Sequence, residues 1–207
     1  MPVMCAGLGS TVDGDMSFVL LFHHAQGLTE GVVAFADQLR DGGHEVVLPD
    51  LFDGAAFASL DEGVAAVEAM GFESILERGV SVGSSGPSHV VYAGFSLGAL
   101  VAHRLAQTRP GAKGALLYHY GDVPVEMFGE SWPVGVPVQF HISEQDEWRE
   151  DGVVEEFIGR VGEVASADLF EYPGSAHLFT DSSLVDYQAE DTSLVLSRTL
   201  AFLDTTD

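Results

Sequence analysis

A chain of 207 residues that is 46% hydrophobic is long enough for one well-packed core and short for two, and its composition excludes intrinsic disorder. Eight Lys and Arg face 32 Asp and Glu, a net charge of −24, with Lys113 as the single lysine, so a polyanion such as DNA or RNA would be repelled. The one cysteine, Cys5, excludes an internal disulfide and a cysteine-built metal cage.

Two accounts of the acidic excess stay open. One is a heavily hydrated surface suited to high salt, where self-repulsion is screened; the other is compositional drift. Residues 1–16 read as a lead-in with no basic start and no long apolar core. No signal peptide is expected, and a cytoplasmic location is. The run Phe18 to Phe22 is apolar but far below membrane-spanning length.

Ser17 to His23 predicts a buried strand. Thr29 to Asp41 predicts a helix capped by Thr29, with Val32, Val33, Phe35, Ala36 and Leu39 as its apolar face and Gly42-Gly43 as its stop. Glu45 to Leu48 predicts a second strand, ended by Pro49-Asp50. Asp61 to Arg78 predicts one long helix capped by Asp61, and Gly83 to Gly86 a loop. Ser88 to Ala93 predicts the third strand and Ser96 to Thr108 a helix ending before Pro110. Gly114 to Tyr118 and Val136 to Ile142 predict strands four and five. Gly152 to Val161 predicts a helix, Asp168 to Tyr172 the sixth strand, and Thr192 to Leu203 a closing helix. Apolar strands alternating with helices indicate an α/β fold: a single, mostly parallel sheet flanked by helices on both faces, one domain over residues 1–207. In such a sheet ligands sit beyond the carboxyl ends of the strands, so residues just after each strand are the site candidates.

Gly94-Phe95-Ser96-Leu97-Gly98 falls after the third strand. Gly-x-Ser-x-Gly alone is weak in a chain with 24 glycines. A strand before it and a helix after it are the context a nucleophile needs. The helix N-terminus would aim its dipole and free N–H groups at a developing oxyanion. A serine hydroxyl also needs a base, in practice a histidine held by a carboxylate. Downstream lie His103, expected on its helix surface, His119 and His141, expected at the ends of strands four and five, and His177. The last follows strand six in Tyr172-Pro173-Gly174-Ser175-Ala176-His177 and is the candidate base. The loop Ser143-Glu144-Gln145-Asp146-Glu147 offers Asp146 as the acid, with Glu144 and Glu147 as competitors.

Taken together these pieces resemble the dienelactone hydrolase family of small α/β-hydrolases. The resemblance runs from about Ser17 to Phe202. It rests on His24-Ala25-Gln26-Gly27-Leu28, Leu48-Pro49-Asp50-Leu51, the Ser96 elbow, Tyr118-His119-Tyr120-Gly121, His141 to Asp146, and Tyr172 to Phe179. It implies the α/β-hydrolase fold, a triad of Ser96, Asp146 and His177, and an oxyanion hole from the backbone N–H groups of Leu97 and Ala25. The family's best-known members carry a cysteine nucleophile and a glutamate where His24 falls. A serine has no thiolate to control, so the two changes are consistent with each other. They move the expectation from dienelactone itself to a carboxylesterase or lactonase acting through an acyl-enzyme, with no cofactor or metal and a small ester or lactone as partner.

Substrate contacts are expected from His24, Tyr120, Phe52, Trp148 and Phe179, with Arg78 and Arg149 placed to meet an anionic substrate. The segment Asp122 to Val134, with Met127, Phe128 and Trp132, suggests a small lid over a shallow, open pocket. Two rivals remain. His23, His24, His119 and His141 with Asp146 suit a metal hydrolase, and the same fold suits a non-catalytic binding protein.

Overall fold

The computed structural model describes residues 16–206. The lead-in up to residue 15, with Cys5, lies outside the described residues. The elements follow in the order β1 (Phe18–Phe22), α1 (Glu30–Asp41), β2 (Glu45–Val47), α2 (Leu60–Met70), α3 (Phe72–Ser85), β3 (Val90–Phe95), α4 (Leu97–Thr108), β4 (Ala112–Tyr118), β5 (Val138–Ser143), α5 (Val153–Gly162), β6 (Ala167–Tyr172) and α6 (Ala189–Leu203). The strands form one sheet in the order β2-β1-β3-β4-β5-β6, and every neighbouring pair is parallel.

Side chains alternate across a strand, so each strand feeds two cores. Leu20, Phe22, Val90, Tyr92, Leu117 and Phe140 pack with α2 to α5 on one face. Val19, Leu21, Val91, Ala93, Leu116 and Tyr118 pack with α1 and α6 on the other. Burial on both faces is why the strands read as continuous apolar runs rather than alternating ones. The chain steps outward from β1 to β2 and then returns to β1's other side with β3. The loops leaving the carboxyl ends of β1 and β3 therefore diverge to opposite faces and open a crevice between them.

The sequence expectations depart from the structure at three helical points. The predicted single helix 61–78 is two, because Gly71, at φ +86°, breaks it. Its cap is Ser59 rather than Asp61: the Ser59 hydroxyl accepts from Glu62 N–H at 3.2 Å. The predicted loop 83–86 is instead the end of α3, which runs to Ser85. There Gly79 and Gly83 face α4, and a Cβ on Gly79 would lie 2.5 Å from Val101 Cγ1. These glycines serve close helix packing, not a turn. His141, expected at a strand end, stands inside β5.

Candidate active site

β3 ends at Phe95 and α4 begins at Leu97, so Ser96 alone makes the turn. Its φ of +50° lies in the left-handed region, which a non-glycine residue occupies only where its surroundings hold it. Ser96 N–H donates to Tyr118 O at 2.9 Å, and Ser96 O accepts from Ala99 N–H at 2.9 Å. The flanking glycines remove the obstacle to this approach. A Cβ on Gly94 would run into the Gly98 backbone, and one on Gly98 would lie 2.6 Å from His23 O. The backbones of β1, β3 and α4 meet with no room for a side chain, and the serine is left projecting into the crevice.

His177 Nε2 lies 2.9 Å from Ser96 Oγ. Its Nδ1 lies 2.9 and 2.8 Å from the two carboxylate oxygens of Asp146. A carboxylate only accepts, so Nδ1 carries the proton and Nε2 presents its lone pair to the serine hydroxyl. Asp146 Oδ1 also accepts from Trp148 N–H at 3.0 Å. Both loops are tied together by backbone: Glu144 N–H donates to Tyr172 O at 2.9 Å and Gln145 N–H to Gly174 O at 3.0 Å. The Ser143 hydroxyl adds a bond to Ala176 O at 2.7 Å. This lacing turns Asp146 inward, while its competitors Glu144 and Glu147 are exposed.

Ser96, His177, Leu97 and Ala25 line one cavity of about 310 Å³. As the first residue of α4, Leu97 has an N–H with no intrahelical partner, at the positive end of the helix dipole. The Ala25 loop is held by Gln26 N–H donating to His24 Nδ1 at 3.2 Å and Gly27 N–H donating to His24 O at 3.0 Å. Gly63 of α2 closes on the Ala25 carbonyl so tightly that a Cβ there would overlap it. Such a constellation offers a hydroxyl, a base to deprotonate it, and backbone donors where negative charge would develop.

The model of the dienelactone hydrolase family matches residues 6–206. The chain belongs to that family. Membership makes it a hydrolase acting on esters. No curated protein matches its sequence at a significant level. Similar solved structures include a dienelactone-hydrolase-like promiscuous phosphotriesterase from metagenomic libraries, at 18% identity and a TM-score of 0.71, covering 92% of this chain and 86% of that one. A protein from Thermus thermophilus follows at 19% identity and a TM-score of 0.63, covering 93% and 89%. A cold-adapted esterase from an Arctic intertidal metagenomic library has 18% identity and a TM-score of 0.59, covering 92% and 82%. At these identities the likeness is one of fold, the α/β-hydrolase fold.

In this dienelactone hydrolase family member the other expected contacts divide. Tyr120 and Trp148 line the cavity. His24 does not line it and is fully buried, with Nε2–H donating to Asp181 Oδ2 at 2.9 Å. Burial alone would raise the Asp181 carboxyl. Donors from His24, Ser183 and Thr29 outweigh it and hold the carboxyl down at about 2. Phe179 is buried behind His119, ring centroids 4.8 Å apart, and Phe52 packs on His23 in the core. Arg78 turns away to Asp53 at 2.6 Å and Leu51 O at 3.1 Å. Arg149 is held between Glu155 and Glu171. Both guanidiniums are already neutralised, which removes them as contacts for an anionic substrate. The expected lid contributes Val123 and Met127 to the wall, but Trp132 belongs to the core, its Nε1–H donating to Val136 O at 2.7 Å.

The remaining histidines go separate ways. His103, expected at the helix surface, is fully buried between Tyr120 OH and Gln107 Oε1. Nearly all of the α4 surface is covered, Leu97, Arg104 and Thr108 apart, because the helix lies over the centre of the sheet. His23 Nε2 accepts from Leu51 N–H at 2.9 Å, and His141 sits between Tyr172 OH and Gln139 Oε1. Burial lowers His23 to about 4 and His103 and His141 to about 3. It also holds His119 well below its usual value. Among the described residues no three His, Cys, Asp or Glu side chains gather as a metal site needs.

Six wall residues were not singled out in the sequence, Leu60, Val64, Val67, Glu68, Phe72 and Leu100, and Asp122 entered only as the first residue of the expected lid. Only Asp122 carried a signal, lying just past the end of β4. Partial desolvation at the cavity mouth raises its carboxyl, with the nearby His177 opposing and Glu150 and Asp146 adding to the rise.

Proposed function

We propose that this protein is a serine hydrolase that cleaves small carboxylic esters or lactones through an acyl-enzyme. The observation that carries the reading is the continuous hydrogen-bonded line from Ser96 Oγ through His177 to a buried Asp146, at 2.9, 2.9 and 2.8 Å.

Ser96 Oγ attacks the ester carbonyl carbon while its proton passes to His177 Nε2. Asp146 holds the ring in the correct tautomer and stabilises the imidazolium that forms. The carbonyl oxygen becomes an oxyanion at the backbone N–H groups of Leu97 and Ala25. Collapse breaks the bond to the alkoxy oxygen, which leaves with the proton from His177. Water, deprotonated by the same nitrogen, attacks the acyl-serine. A second collapse returns the proton to Ser96 Oγ and frees the carboxylic acid.

The test is hydrolysis of short-chain p-nitrophenyl esters, with covalent labelling by a fluorophosphonate read by mass spectrometry on the Ser96 peptide. Ser96→Ala should lose the label and about 10⁴-fold or more in kcat. Hydrolysis that survives Ser96→Ala, or a label found on another peptide, overturns the reading.

A further inference from the structure

We propose that the cavity beside Ser96 selects esters that carry a positive charge and rejects anionic ones, with Asp122 and Glu68 as the residues that set this preference. The proposal rests on the ester-hydrolase reading above and names the substrate class of that same site.

The first ground is the charge of the wall. The cavity is lined by two carboxylates, Glu68 and Asp122, and by no lysine or arginine. All eight basic residues of the chain lie within the described residues, and each is placed elsewhere. Arg78 and Arg149 are bound to Asp53 and to Glu155 and Glu171. Arg104 is bound to Glu73 and Glu77, Arg40 to Asp37, and Arg160 to Glu126. Arg109 serves carbonyls at the end of α3, Arg198 lies 4.1 Å over the Phe170 ring, and Lys113 is near the amino end of β4. Neither Glu68 nor Asp122 has an ion-pair partner among the described residues. A charged ligand therefore meets two uncompensated negative groups and no positive one.

The second ground is what stands beside those carboxylates. Phe72, Met127 and Trp148 are 42%, 53% and 41% exposed, and all three line this one cavity. Exposed large apolar groups gathered around a concave site mark a binding surface. Aromatic faces also attract a cation through the ring quadrupole, indole most strongly. Trp148 is well placed to do so: its ring centroid lies 5.7 Å from that of His177, so a cation on its face sits one short chain away from Ser96. The deeper wall, Val67, Leu97 and Leu100, is apolar and suits the hydrocarbon part of the ligand. The volume, about 310 Å³, is at the lower end of ligand pockets, which suits a small ester.

A unit charge about 6 Å from a carboxylate, at an effective dielectric of about 40, changes affinity about tenfold per carboxylate, in opposite senses for a cation and an anion. Three p-nitrophenyl esters of similar length test this: 4-(trimethylammonio)butyrate, hexanoate and the glutarate monoester. At low salt kcat/KM should fall in that order, the first exceeding the last by about a hundredfold for each carboxylate at that distance, or about 10⁴-fold for the two. In the double variant Asp122→Asn, Glu68→Gln that ratio should fall by about a hundredfold or more; being a ratio within one protein, it is indifferent to a general loss of activity. The control Glu45→Gln, Asp168→Asn removes the same charge at the amino ends of β2 and β6 and should keep the ratio. A ratio near one in the wild type, or an equal fall in both double variants, overturns the proposal.

A second arm needs no catalysis. In Ser96→Ala, hexyltrimethylammonium and heptanoate are titrated by tryptophan fluorescence, and the ammonium should bind about tenfold tighter or better. Tighter ammonium binding with no ester hydrolysed by the wild type sinks the hydrolase reading and keeps the charge selection. Hydrolysis without charge preference does the reverse, and equal binding with no hydrolysis sinks both.

Discussion

His103→Gln is expected to remove a defined part of the acid sensitivity of the fold. His103 is fully buried in α4, its Nδ1 2.8 Å from Tyr120 OH and its Nε2 3.1 Å from Gln107 Oε1. Burial lowers its pKa from 6.5 to about 3, against the opposing pull of hydrogen bonds with Gln107 and Val125. Below pH 6.5 the unfolded chain takes a proton at this ring, and the folded chain takes none until about pH 3. The stability held by the neutral ring is therefore complete above that upper value and is lost as pH falls across the window. At pH 5 the loss is about 1.5 pH units at about 1.36 kcal/mol each, or about 2 kcal/mol. Glutamine does not titrate. Whatever packing the substitution removes, it removes at both pH values, and the difference between pH values cancels it. The assay is urea unfolding at pH 7.5 and pH 5, followed by circular dichroism. The wild type should lose about 2 kcal/mol more than the variant, a midpoint difference of about 1 M at an m-value of about 2 kcal/mol/M. Equal pH losses in the two proteins would refute the argument that burial holds His103 neutral.

Asp146→Asn should leave the fold intact and lower kcat on p-nitrophenyl esters about 10³–10⁴-fold, because an amide no longer holds the proton on His177 Nδ1; a drop under tenfold counts against Asp146 as the orienting acid. Gly98→Ala places a Cβ 2.6 Å from His23 O and should destabilise the protein by at least about 2 kcal/mol, seen as a clear fall in Tm; an unchanged Tm shows that the elbow has more room than its backbone contacts indicate. With a net charge of −24, the protein should gain several degrees of Tm in molar KCl if its acidity is a high-salt surface, and an unchanged Tm leaves compositional drift as the account.

The strands and the elbow were legible because they depend on local features. Apolar runs such as Val90 to Phe95 announce strands buried on both faces, and glycines two residues either side of a serine announce a turn that excludes Cβ atoms. The α2–α3 break was poorly legible, since residues 61–78 are mostly good helix formers with two glycines, and of these Gly63 continues α2 while only Gly71 ends it. Burial of His103 was not legible at all: periodicity gives the faces of a helix, but its position over the middle of the sheet, which covers nearly all of α4, is a tertiary fact. The same holds for Arg78 and Arg149. Their charges are visible in the sequence, but the partners that neutralise them, Asp53 and Glu171, lie 25 and 22 residues away. Asp146 could not be separated from Glu144 and Glu147 by spacing. What separates them is the backbone lacing of its loop to that of His177, a non-local pairing between β5 and β6.

The neutral histidines bear on the proposed chemistry in a second way. On that mechanism positive charge appears on His177 as Ser96 attacks, and Asp146 is the group that stabilises it. The His119 ring centroid lies 6.0 Å from that of His177. Were His119 charged, its repulsion would offset much of what Asp146 contributes. Burial, first, and then the neighbouring rings of His177, His24 and His141 hold its pKa well below the usual value. The interior behind the serine thus holds imidazoles that hydrogen-bond while burial keeps them uncharged: His119 to Thr180 and His141 to Tyr172. An asparagine or glutamine would supply similar bonds, whereas a lysine or arginine would not be tolerated so close to the ring that must become cationic. The absence of lysine and arginine from the cavity wall follows the same electrostatic logic, and it leaves Asp122 and Glu68 as the carboxylates that an entering ester meets.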